Sequence, residues 1–137
     1  MNRNLFAYGA LMFPDIVFAL TGKRFKTEAA LLQGYTVKKV KDEVYPGLIK
    51  SRGDTTQGVI IYGVDEAPYQ IIATWETAQY LSVKERVIVD GQPLEAYLFV
   101  YADPNRLDGR WDKARFQKAD LARYVREEIP AFLRNLQ

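Results

Sequence analysis

The sequence predicts an α+β fold, and three observations point to it. Runs of β-branched and aromatic residues recur along the chain, only short helical stretches separate them, and one longer amphipathic helix follows the last hairpin signal. Regular strand–helix alternation of the doubly wound kind is missing. With 137 residues, 48% of them hydrophobic, the chain can bury a core without disulfide or metal staples, so one domain over 1–137 is the expected organisation.

Leu5-Phe6-Ala7-Tyr8 is a short buried strand that stops at Gly9. Pro14 is tolerated at the first position of a helix of one or two turns, for which Gly22 is a suitable stop. Residues 29–40 form a second extended run with a bend or bulge at Gly34. Tyr45-Pro46-Gly47 is a turn leading into a strand, and Pro46 argues against a central ladder position there. The polar stretch 51–57 is expected to be a loop, followed by an apolar strand over 58–62.

Asp65 is placed as a helix N-cap, with Glu66 and Pro68 acceptable in the first turn. Ile71, Ile72 and Trp75 supply the apolar stripe of that helix. Strands over 83–89 and 94–101 alternate around Asp90-Gly91, a strong hairpin signal. After a polar loop at 103–108, Phe116, Ala119, Ala122, Val125, Ile129 and Phe132 recur at helical spacing from Trp111 or Asp112 onward. Pro130 is expected to kink or interrupt that closing helix.

The charge pattern narrows the function classes. A net charge of +2 comes from 19 basic and 17 acidic residues spread along the whole length, without the concentrated basic stripe that nucleic-acid binding asks for. No apolar run is long enough to span a bilayer, and the first residues lack a signal-peptide core, so a cytoplasmic location and no membrane partner are expected. The chain has no His and no Cys. Ser–His and Cys–His nucleophilic catalysis are thereby excluded, as are the usual zinc sites. Any chemistry must come from carboxylates, amines, hydroxyls or the backbone.

Two segments stand out on that footing. At Tyr8-Gly9-Ala10-Leu11 a strand ends in a tight turn that frees successive backbone N–H groups, and such a turn can cradle an anion; the plainer alternative is a turn beside a packed aromatic. Glu76 follows Trp75, borders the apolar stripe and sits near the C-terminal end of its helix. Desolvation and the helix dipole there both raise a carboxyl pKa and favour a general base. The alternative is a solvent-facing Glu at a helix end. Tyr45, Tyr62, Tyr80, Tyr97 and Tyr101 lie on or beside strands, where most phenols serve as core-edge residues and a few line polar pockets.

Taken in order, these segments resemble the γ-glutamyl cyclotransferase-like family, in particular its avirulence-induced-gene branch. The family's Tyr-Gly-(Ser/Thr)-Leu turn corresponds to Tyr8-Gly9-Ala10-Leu11, and its Tyr-Pro-(Gly/Ala) segment to Tyr45-Pro46-Gly47. A glycine-containing strand corresponds to Gln57-Gly58-Val59-Ile60, and the segment carrying the catalytic glutamate to Ile72-Ala73-Thr74-Trp75-Glu76-Thr77. Tyr80, the valine-rich hairpin, Trp111-Asp112, Phe116 and Tyr124-Val125 complete the resemblance, which covers nearly the whole chain.

The resemblance implies a small mixed, barrel-like sheet with short helices, a C-terminal helix and a central cavity. It implies cofactor-independent release of 5-oxoproline from a small-molecule γ-glutamyl amine or peptide, by attack of the substrate's own α-amine on its γ-carbonyl. Glu76 would be the general acid/base, Tyr8, Gly9, Ala10 and Leu11 the binding turn, and Tyr80, Tyr45 and Tyr101 pocket-lining residues. The alternative is a catalytically inactive small-molecule-binding module on the same fold. The chain departs from the pattern at Ala10, Ala73 and Thr77, where the family carries Ser or Thr, Asp and Gly, and at Ser82, where a basic residue is expected. Losing the hydroxyl at position 10 leaves the backbone amides in place.

Overall fold

The structure, a computed structural model, describes residues 2–76 and 79–136. Five strands form a closed barrel in the order β1-β3-β2-β4-β5: β1 (Arg3–Ala7), β2 (Thr27–Lys39), β3 (Pro46–Val64), β4 (Tyr80–Val89) and β5 (Gln92–Tyr101). Neighbouring strands are antiparallel except at the closure, where β1 runs parallel to β5 and Leu5 pairs with Tyr97. The barrel-like α+β architecture is therefore present.

Period-two alternation divides β1 between two cores. Phe6 and Tyr8 point into the barrel with Leu32, Leu48, Ile60 and Leu98, whereas Leu5 and Ala7 face the helices with Ile16, Ile72, Phe116 and Ile129. Gly58 sits where β3 crosses β1, and a Cβ there would lie 2.3 Å from the Ala7 carbonyl oxygen. Only glycine allows that approach. The hairpin between β4 and β5 turns at Asp90 and Gly91, with φ of 51° and 75°, as expected of a type I′ turn.

The helices cover one side of the barrel. Helix α1 (Pro14–Thr21) has proline in its first turn and Gly22 in the left-handed conformation at its end. Helix α2 (Glu66–Glu76) starts directly after Asp65 and buries Ile72, with Ile71 and Trp75 packed at the edge of the core.

Two expectations are corrected. Residues 51–57 are not a separate loop but part of β3. Gln33 pairs with Thr55 and Tyr35 with Lys50, so residues 51–54 bulge opposite Gly34, after which pairing resumes. The stretch is polar because most of it faces solvent, while Thr56 turns inward and donates to the Tyr35 carbonyl at 2.8 Å. Exposure, together with a bulge that holds Gly53 at φ 87°, produced the loop-like composition.

The interruption expected at Pro130 is present, and the correction is that the closing helix also divides earlier. It divides into α3 (Lys113–Ala119), α4 (Leu121–Arg123), a π-helical turn (Tyr124–Glu128) and α5 (Ile129–Asn135). Asp112 caps α3 by accepting from the Arg115 amide at 3.2 Å. Pro130 lies in the first turn of α5 and has no N–H to donate to Arg126; the preceding π turn, closed by Ile129 N–H donating to Tyr124, takes up the irregularity. Among the described residues, no helix is long and apolar enough to cross a membrane.

Candidate active site

Both segments singled out by the sequence open onto one cavity of about 200 Å³. Tyr8, Gly9, Ala10 and Leu11 line it together with Glu76, the last residue of α2. β1 ends at Ala7 because the chain must turn into the short 3₁₀ segment Ala10–Met12, closed by the Met12 amide donating to Gly9 at 2.9 Å. The amides of Gly9, Ala10 and Leu11 donate to no turn or loop carbonyl among the described residues. A Cβ on Gly9 would stand 2.8 Å from Cγ of Pro46, so glycine lets the turn rest directly on the start of β3.

The phenols divide into two groups. Tyr80 lines the cavity and donates to the Pro46 carbonyl at 2.7 Å, tying β4 to the start of β3. Tyr8 donates to the Phe99 carbonyl at 2.6 Å. Tyr45 also lines the cavity, its hydroxyl within 3.2 Å of a Glu43 carboxyl oxygen and 3.3 Å of the Gln79 side-chain oxygen. Tyr101 does not line it. It is buried one layer behind, edge-on to the Tyr80 ring with centroids 5.1 Å apart, because β5 turns this side chain toward Gly47. Its place is support for Tyr80.

Removal from water sets the electrostatics. The Glu76 residue keeps partial exposure through the cavity opening, but its carboxyl lies under enough protein for burial to push its pKa up to about 8. No cationic side chain lines the cavity among the described residues to oppose that shift. Tyr8 and Tyr80 titrate well above an ordinary phenol, first because they are buried and then because a Glu76 carboxylate would face them. Both stay neutral and serve as fixed hydrogen-bond donors.

Sequence reasoning missed Gln79, Phe99, Trp75, Tyr124 and Glu128 as cavity residues. Trp75 was legible only as part of an apolar stripe and Tyr124 only as a position in the closing helix. Of the positions that depart from the family pattern, Ala73 packs at the edge of the helix-side core, Ser82 shares a hydrogen bond with Tyr69 at 2.8 Å, and Thr77 lies outside the described residues.

The family model described as gamma-glutamyl cyclotransferase, AIG2-like, matches residues 5–118, from β1 through most of α3. The chain belongs to this family. Protein AIG2 C of Arabidopsis thaliana is 27% identical over 128 residues, covering 90% of this chain and 78% of its own length. AIG2-like protein D of the same plant is 24% identical over 130 residues, covering 90% and 85%. A solution structure of an Arabidopsis thaliana protein superposes with a TM-score of 0.72 at 23% identity, over 100% of this chain and 86% of that one. A solved gamma-glutamyl cyclotransferase superposes with a TM-score of 0.66 at 14% identity, over 75% of this chain and 68% of that one. The matched family segment contains both the Tyr8–Leu11 turn and Glu76. It ends before Tyr124 and Glu128.

Proposed function

We propose that the protein is a γ-glutamyl cyclotransferase that releases 5-oxoproline from a γ-glutamyl amine or peptide, with Glu76 as general acid/base. One observation carries this reading: Glu76 and the Tyr8–Leu11 turn, in which the amides of Gly9, Ala10 and Leu11 donate to no turn or loop carbonyl, line the same cavity.

The substrate's α-carboxylate docks on the amides of Gly9, Ala10 and Leu11, an anion held by backbone dipoles where no cationic side chain is at hand. Its α-ammonium then lies toward Glu76. A carboxyl of pKa about 8 holds a proton on roughly nine molecules in ten at pH 7 before substrate arrives. The ammonium favours the ionised carboxylate, and the two groups titrate close enough together for the proton to pass at little cost. The freed amine nitrogen attacks the γ-carbonyl carbon and the carbonyl oxygen becomes an oxyanion. Glu76 then delivers its proton to the departing nitrogen as the oxyanion collapses and the original amide C–N bond breaks, and the second proton shed by the ring nitrogen as it becomes the lactam N–H passes through the Glu76 carboxylate to the released amine, which leaves as an ammonium.

Atoms balance without water or any second reactant. Closing a five-membered ring from groups already held together supplies much of the rate. Gln79 is placed to help: its side-chain oxygen accepts from Tyr45, which leaves the amide N–H₂ free to donate into the cavity.

The test is incubation with γ-glutamyl amides and detection of 5-oxoproline by mass spectrometry, with Glu76→Gln as the control. Product from the wild type and none from the variant is expected. Thermal stabilisation by the substrates without any product would replace the enzyme reading with the binding-module one.

A further inference from the structure

A second cavity lies beside the one that holds Glu76, and Tyr8 lines both. Its volume is about 470 Å³, within the range of small-molecule sites. The lining comes from the end of β1, from the β2–β3 pair and from the segment that leads into α3. Ring closure at Glu76 uses none of its charged groups.

The charge of this cavity is one-sided. Arg110 and Lys113 both line it, both are exposed, and no Asp or Glu joins them. Among the described residues, neither cation has a carboxylate within ion-pair distance. Asp112, between them in sequence, accepts from the Arg115 amide to cap α3 and does not line the cavity. Two uncompensated cations, one of them a guanidinium, suit a doubly charged phosphate better than a single carboxylate.

The rest of the lining suits a flat heteroaromatic ring. Trp111 lies between the two cations in sequence; its indole N–H donates to the Val44 carbonyl at 2.8 Å and its ring leans on Phe116, with centroids 5.8 Å apart. An aromatic wall fixed in advance loses little freedom when a base stacks on it. Thr36, Thr55 and Gln57 add two hydroxyls and an amide, groups that both donate and accept, as the edge of a base does.

We infer that this cavity binds a nucleoside monophosphate, with the phosphate on Arg110 and Lys113 and the base beside Trp111. The site stands apart from the reaction at Glu76 and does not depend on it. Met12, whose amide closes the Tyr8–Leu11 turn on Gly9 at 2.9 Å, also lines the cavity, so a nucleotide there touches that turn as well as Tyr8.

The experiment is isothermal titration of the full chain with the four 5′-ribonucleoside monophosphates, the matching nucleosides and ribose 5-phosphate. At least one nucleotide is expected to bind with a stoichiometry of one, about tenfold tighter than its nucleoside or ribose 5-phosphate. Arg110 and Lys113 lie outside both cores, so their variants keep the fold. Arg110→Gln and Lys113→Gln should each weaken binding about tenfold, whereas Arg134→Gln, which removes the same charge from α5, and Glu76→Gln should stay within about twofold. No saturable binding of any of the four, a fragment that binds as tightly as the nucleotide, or an equal loss in Arg134→Gln overturns the site. A loss in Glu76→Gln with none in Arg110→Gln and Lys113→Gln would place the ligand in the Glu76 cavity and overturn it as well.

Discussion

Replacing Glu76 by Gln is expected to stabilise the folded protein in alkaline solution while removing its activity. Burial raises the folded-state pKa of Glu76 from its ordinary 4.5 to about 8. Between those two pH values the native carboxyl holds a proton that the unfolded one has released. Stability therefore falls with rising pH, by about 1.4 kcal/mol for each pH unit. The contribution is fully present below 4.5 and is lost as pH climbs through 8.

Across that interval the loss approaches about 5 kcal/mol. The cavity opens to solvent and Glu76 keeps partial exposure, so screening brings the expected range to about 2–5 kcal/mol. Gln has nearly the same shape and never ionises. Urea denaturation of both proteins from pH 4.5 to 9 isolates the effect, because every other titrating group cancels in the difference. The two should match at pH 4.5, and the variant should gain steadily through the neutral range and level off above 8. At roughly 3 °C per kcal/mol for a chain of this size, the gain in Tm at the alkaline end is about 6–15 °C. A difference independent of pH, or one favouring the wild type at pH 9, would show that the carboxyl is well solvated and refute the basis of its assignment as a base.

Three further outcomes follow from the same geometry. The acidic limb of the kcat/KM profile for 5-oxoproline release should have its midpoint near pH 8, where Glu76 ionises, and a limb near 4.5 would exclude this residue as the base. Gly58→Ala places a Cβ 2.3 Å from the Ala7 carbonyl oxygen and 2.7 Å from the Phe6 ring; pushing β1 from β3 should cost about 1–3 kcal/mol in denaturant titrations and reduce turnover by moving the Tyr8–Leu11 turn. Phe116→Ala removes a ring packed on Phe13, Trp111 and Tyr124 at the helix-side core, with an expected loss of about 3–5 kcal/mol in urea unfolding.

How much of this was legible in the sequence depends on how local each feature is. The turn at Gly9, the hairpin at Asp90-Gly91 and the stop at Gly22 follow from backbone chemistry within a few residues, and the structure has all three. Glu76 at the edge of an apolar stripe and at a helix end was also readable, since burial on that face follows from helical periodicity. Barrel closure was not readable from periodicity, because it rests on the parallel pairing of Leu5 with Tyr97, residues far apart in the chain. Tyr101 alternates like a pocket residue, yet only the packing of Tyr80 and Gly47 shows which phenol reaches the cavity. Glu128 lies in a helical stretch with the charge pattern of an ordinary solvated face; the π turn and the fold of the closing helices bring it over the cavity.

The electrostatics of the cavity explain how a chain without His can still hold a base that titrates near neutrality. A buried carboxyl usually acquires a cationic partner, which pulls its pKa down and makes it a poor proton acceptor at pH 7. Here the cavity walls supply aromatic rings, neutral phenols and an amide, with no cation among the described residues, and the Glu76 carboxyl stays high. On the cyclotransferase reading, the missing partner is the substrate's own α-ammonium. Binding brings in the charge that ionises Glu76, and proton transfer then cancels both charges as the amine becomes nucleophilic. A Lys or Arg placed beside Glu76 would hold the carboxyl ionised and pull its pKa down, leaving a weak acceptor for the substrate's proton.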